Sequence, residues 1–121
     1  MAEPAVVQEE YELLTRDKNM VTVGVKLSFM THQNERYSKA SIVKLVKDVL
    51  RSKVAYLVAL QPSQAAKLTV PQGYEAIRRD LMTNLQKRLV DVLAQQPMAD
   101  LQYSEPRVEV LSWRLQGEDI I

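Results

Sequence analysis

Cysteine is absent from this chain of 121 residues, and histidine occurs once, at His32. The first absence excludes disulfides, thiolate nucleophiles and cysteine-held zinc, and it fits a reducing or an oxidising compartment equally well. The second excludes a multi-histidine metal site, or a histidine pair for acid–base work, within one chain. Glycine is scarce as well. Gly24, Gly73 and Gly117 lie far apart, so none builds a phosphate-cradling loop of the G-x-x-x-x-G-K-[ST] or G-x-G-x-x-G kind. An excess of one charge is also missing. Sixteen Lys+Arg oppose fifteen Asp+Glu, a formal +1, which gives no overall pull toward nucleic acid or anionic lipid. The longest apolar run, residues 54–60, is seven residues, against the ~20 needed to span a bilayer. Residues 1–10 are acidic and have neither the cationic start nor the apolar centre of a signal peptide.

What is present is an ordinary globular balance: 46% hydrophobic and 26% charged residues argue against disorder. The length suits one core, so 1–121 is expected to be a single domain. Its core should span about 11–116, with a loose N-terminal arm (1–10) and a loose C-terminal tail (117–121).

Periodicity places the elements. Val21, Val23, Val25, Leu27 and Phe29 alternate with Thr22, Gly24, Lys26 and Ser28, the period of a half-buried strand. Gly24 inside it marks close backbone approach. The apolar patch at Tyr11, Leu13 and Leu14, followed by a polar turn at 15–19, makes this the second arm of a hairpin. Ser38 or Ser41 can cap a helix whose stripe is Ile42, Leu45, Val46, Val49, Leu50, Val54, Leu57 and Val58. Pro62 stops it, and residues 63–67 suit one short turn of helix. A second helix begins near Thr69, its cap candidate, with the stripe Ile77, Leu81, Leu85, Leu89 and Val92 reinforced by Met82 and Leu93. It ends at Gln95-Gln96-Pro97. Residues 108–115 form a closing strand in which Val108 and Val110 share one parity and Leu111, Trp113 and Leu115 the other. Either a bulge near Val110 or burial of both faces reconciles them. Pro106 keeps the start of this strand at an edge or turn. The expected fold class is α+β: a small antiparallel or mixed sheet of three to four strands, with two long helices packed on one face in β-α-α-β order.

The candidates for chemistry are few. His32 with Asp17 or Glu35 could form a base and its orienter, but a solvent-exposed loop histidine is the simpler reading, because no Ser or Cys motif accompanies it. Glu9, Glu10 and Glu12 lack the Asp/Asn/Gly pattern of a calcium loop, and Glu118 with Asp119 is one acidic pair at an end. Lys39, Lys44, Lys47, Arg51 and Lys53 on the first helix, and Arg78, Arg79, Lys87 and Arg88 on the second, read as wet helix faces. No aromatic residues interleave with them as a nucleic-acid footprint would require. Trp113, Tyr56 and Tyr74 are core residues or interface anchors. The expectation is no enzyme, no catalytic, cofactor-binding or metal residue, no cofactor and no nucleic-acid partner.

Three stretches, in order, resemble the periplasmic domain of the flagellar FliL family. Residues 21–29 (Val-Thr-Val-Gly-Val-Lys-Leu-Ser-Phe) are similar to its opening strand. Residues 60–81 are similar to a short apolar turn, then Leu-Thr-x-x-Gly with Leu68, Thr69 and Gly73 in place, then a charged helix carrying Ile77 and Leu81. Residues 108–116 (Val-Glu-Val-Leu-Ser-Trp-Arg-Leu-Gln) resemble the closing strand. The match covers roughly 20–116. Gln72 stands where the family usually has Glu, and the closing strand lacks the family's aromatic-Thr pair. The resemblance implies a stomatin-like (SPFH-like) fold and a self-associating, non-enzymatic scaffold that supports the flagellar stator by protein contact. It further implies motor or basal-body partners and a place on the periplasmic side of the inner membrane, reached through an anchor outside this sequence. An adaptor of a secretion or phage-like machine is the alternative, cytoplasmic if the resemblance fails. An enzyme with an inter-subunit site using His32 is a third.

Overall fold

The computed structural model describes residues 2–67, 71–95 and 102–118. The elements run β1 (Ala2–Leu14), β2 (Met20–His32), α1 (Lys39–Ala59), a 3-10 turn (Ala65–Lys67), α2 (Pro71–Gln95) and β3 (Tyr103–Leu115). The three strands form one antiparallel sheet in the order β1-β2-β3, and the class is α+β.

Val21, Val23, Val25, Leu27 and Phe29 of the central strand are all buried, as their alternation requires. They meet both helical stripes, Ile42, Val46, Leu50, Val54, Leu57 and Val58 from α1 and Leu81, Leu85, Leu89 and Leu93 from α2, in one core. On the other face of the strand Thr22, Lys26, Ser28 and Met30 stay half-exposed, so the helices cover one side. Ser38 is the cap of α1: its hydroxyl accepts from the Ser41 N–H at 3.2 Å, satisfying a first-turn donor. Thr69, the expected cap of α2, lies outside the described residues.

β1 is longer than expected. Residues 2–10, anticipated as a loose arm, pair in continuous register with 24–32 and bury Ala5 and Val7. Glu9 breaks the apolar alternation on this strand, which hides it in the sequence. The hairpin closes through Thr15 N–H to Asn19 C=O (3.0 Å) and Lys18 N–H to Thr15 C=O (3.1 Å), with Lys18 left-handed at φ 66°.

β3 carries the expected bulge. Val25 pairs with Val110 and Gly24 with Ser112, so Leu111 is the extra residue that switches parity between Val110 and Trp113. A Cβ on Gly24 would sit 2.5 Å from Ser112 Oγ, the close approach anticipated there. A second shift lies between Ser28 and Met30, opposite Glu105, left-handed at φ 53°, and Pro106. β3 therefore begins at Tyr103, and Pro106 is accommodated because the strand is an edge. The C-terminal tail is held as far as Glu118. Gly117, at φ 89°, turns the chain so that the Glu118 carboxylate is buried against Arg78. Residues 119–121 lie outside the described part.

Candidate functional site: a polar tie, two grooves and two sheet edges

Asp17 and His32 sit at opposite ends of the hairpin. The thirteen residues of β2 separate them by roughly 40 Å at ~3.3 Å per residue, so they form no base–orienter pair. His32 instead ends β2, exposed, with Nε2 2.6 Å from Ser104 Oγ. Ser104 is the nucleophile type that the sequence showed no sign of, because it lies 72 residues away and only strand pairing brings it close. Glu35 is exposed in the following loop, and among the described residues no carboxylate pairs with the ring. A serine–histidine contact on an open strand end, without an orienting acid, has little to activate it.

Asp17 belongs to a polar tie at the other end of the molecule. Its carboxylate accepts from Ser63 N–H (2.9 Å), Ser63 Oγ–H (2.7 Å) and Thr15 Oγ1–H (2.5 Å). Desolvation raises the pKa of this group, but the hydrogen bonds from Ser63 and Thr15 outweigh it and hold the carboxyl well below the usual carboxylate range. Ser63 C=O accepts from Tyr74 O–H (2.7 Å), which in turn accepts from Trp113 Nε1–H (3.1 Å). Both aromatic side chains are buried, so each is a core residue rather than a surface anchor. The charge of Tyr74 is opposed chiefly by desolvation, which raises its pKa. Arg78, expected on the wet side of α2, turns inward: Nε donates to Trp113 C=O (2.8 Å), the guanidinium pairs with Glu75 and Glu118, and it lies over the Tyr74 ring at 5.5 Å. This chain of contacts fastens hairpin, inter-helix loop, α2 and β3 together.

The remaining charged candidates are dispersed. Glu3 pairs with Lys39 (3.4 Å) and Glu9 with Lys47 (3.5 Å) across the β1–α1 boundary. Glu10 and Glu12 are exposed, and among the described residues no group of acids or histidine could hold a metal ion. Among the described residues no helix is long and apolar enough to cross a membrane.

Among the described residues one surface depression, about 280 Å³, lies on the helix-free face of the sheet against Val6, Ser28, Met30 and Arg107, and two others lie beside the helices. The larger, about 660 Å³, runs between the outward side of α2 and β3 and is lined by Met82, Gln86, Val90 and Val110 with Arg79, Lys87, Asp91 and Thr83 at its margins. Val90 is 50% exposed there. The smaller, about 190 Å³, lies between β1 and α1 against Tyr11, Lys47 and Arg51.

The two sheet edges differ. Gln116 N–H donates to Met20 C=O, so even-numbered residues of β2 bond β3, and the C=O of Trp113 and the N–H of Val110 face outward. Both are met by α2: Arg78 covers the first, and Gln86 Oε1 accepts from the second at 3.0 Å. β3 is thus a guarded edge. On the other side, the Thr15–Asn19 bond sets odd-numbered residues of β1 toward β2 and leaves even-numbered ones facing outward.

No family model matches the sequence, and no curated protein matches it.

Proposed function

We propose that this chain is a non-enzymatic scaffold domain acting by protein contact, in the manner of the FliL periplasmic domain with its stomatin-like fold. In this reading, copies associate beside the flagellar stator or basal body, on the periplasmic side of the inner membrane. The observation that carries the reading is the α2–β3 groove, where Met82, Val90 and Val110 present apolar surface inside a margin of Arg79, Lys87 and Asp91. A half-exposed valine over an apolar floor with charged margins has the make-up of a contact patch. The likeness of residues 20–116 to the family supports a second copy as its occupant.

Sedimentation velocity over a wide concentration range tests this. The wild type should self-associate, and Val90→Asp should remain monomeric with an unchanged fold. A strictly monomeric wild type at high concentration, together with normal swimming after deletion of the gene, would sink the scaffold reading. Loss of secretion with intact motility would transfer the domain to the adaptor class.

A further inference from the structure

We infer that the free edge of β1, from Val6 to Leu14, is a docking site for an extended, lysine- or arginine-bearing segment of a partner protein, which adds to the sheet as a fourth strand. The inference rests on the protein-contact reading and names the class of partner.

The two edges of the sheet have been treated unequally. α2 sends Gln86 and Arg78 to the outward backbone groups of β3. The outward groups of β1 belong to Val6, Gln8, Glu10, Glu12 and Leu14, and among the described residues no side chain of α1 reaches them. The register from Ala2 to Leu14 has no bulge. A long, regular, unguarded edge is the template that strand addition uses. Pro4 has no N–H to offer and faces the same side, which sets the limit of the site at Val6.

Charge selects the occupant. β1 contains four glutamates and neither lysine nor arginine. Glu3 and Glu9 face the helices and are paired by Lys39 and Lys47, whereas Glu10 and Glu12 on the outer face have no cationic partner among the described residues. A second β1 strand would add four more glutamates to the ribbon; a basic strand would supply the missing cations. Val6 and Leu14, 56% and 51% exposed, offer apolar contact at either end of the same face.

An independent observation comes from the small cleft beside this edge. Tyr11, one of its lining residues, is 7% exposed, and its hydroxyl is buried without a hydrogen-bond partner among the described residues. A buried donor left unpaired is costly. An inward-facing hydroxyl, amide or carbonyl of an added strand would supply the acceptor.

The test uses the full chain and a synthetic nine-residue peptide alternating lysine and threonine, followed by amide hydrogen exchange. The amides of Val6, Gln8, Glu10, Glu12 and Leu14 should slow on binding, while those of Val7, Glu9 and Tyr11, already in the β1–β2 ladder, should not change. Glu10→Lys with Glu12→Lys should weaken the peptide about tenfold or more and admit its glutamate–threonine counterpart. Tyr11→Phe should weaken it severalfold without loss of thermal stability. Absence of the alternating protection, or indifference to the charge reversal, overturns the inference. So does finding the same even-numbered amides protected in concentrated free protein that dimerises, since the occupant is then a second copy. Val90→Asp should leave peptide binding intact. A chain that stays monomeric, and whose deletion leaves swimming normal, yet binds the peptide refutes the scaffold reading alone, and one that associates through the groove but ignores the peptide refutes this inference alone.

Discussion

Replacing Tyr74 by Phe removes a single oxygen from a fully buried site, yet two other groups depend on it. Trp113 Nε1–H loses its acceptor at 3.1 Å, and Ser63 C=O loses its donor at 2.7 Å. Neither Trp113 nor Ser63 is exposed enough for water to take the hydroxyl's place. A buried polar group deprived of its partner costs about 1–3 kcal/mol, so the two together should cost about 2–6 kcal/mol. In a small domain whose total stability is of order 5–15 kcal/mol, this is a large fraction. Urea denaturation followed by far-UV circular dichroism, which stays readable in variants that lack Trp113, the single tryptophan of the chain, should show the midpoint falling with an unchanged slope. Trp113→Phe should cost less through this bond, since it withdraws the donor and leaves the Tyr74 hydroxyl still bonded to Ser63. The double variant should cost less than the sum of the singles by roughly 1 kcal/mol, because the shared bond is lost once. A loss below about 0.5 kcal/mol for Tyr74→Phe, or strict additivity, would refute the claim that this tie joins α2 to β3.

Tyr11 gives the opposite result. Its hydroxyl has no partner among the described residues, so Tyr11→Phe should be neutral or slightly stabilising at pH 7. Burial, followed by repulsion from Glu9 and only partly offset by Arg51, pushes Tyr11 from 10.0 up to about 12. The folded value exceeds the unfolded one, so the neutral phenol contributes stability fully below pH 10, lost as the pH climbs to about 12. Tyr11→Phe should flatten that alkaline limb in a thermal melt. Asp17 carries the reverse sign: its folded pKa is depressed, so its stabilisation is present above the unfolded carboxylate value and fades as the pH falls through the folded one. Asp17→Ala should cost roughly 1–2 kcal/mol at pH 7, discounted for its exposure, and the gap to wild type should narrow below about pH 4. Gln86→Leu should uncover the Val110 N–H, lower stability by about 1 kcal/mol and promote aggregation measurable by light scattering.

The elements with a clean period were legible before any coordinates. The valines of β2 and the two helical stripes follow from side-chain geometry that repeats every two or 3.6 residues, whereas the parity conflict in β3 left a bulge near Val110 and two covered faces both open until the register singled out Leu111. The Ser38 cap and the halt at Pro62 are local chemistry of the same kind. β1 was half-hidden, because Ala5 and Val7 are small and Glu9 interrupts their face; only the register with β2, and a lysine arriving from α1, makes that glutamate acceptable there.

The contacts that tie distant elements together had no local signal at all. Asp17 finds Ser63 across 46 residues, Tyr74 finds Trp113 across 39, and His32 meets Ser104 across 72. Distances of that kind are set by where the helices settle on the sheet, which no window of sequence encodes. The inequality of the two edges has the same origin. Pro106 marked the start of β3 as an edge or turn, but the position of α2 against β3, with Gln86 and Arg78 two turns apart on one helix face, decided which edge is guarded and which is left open.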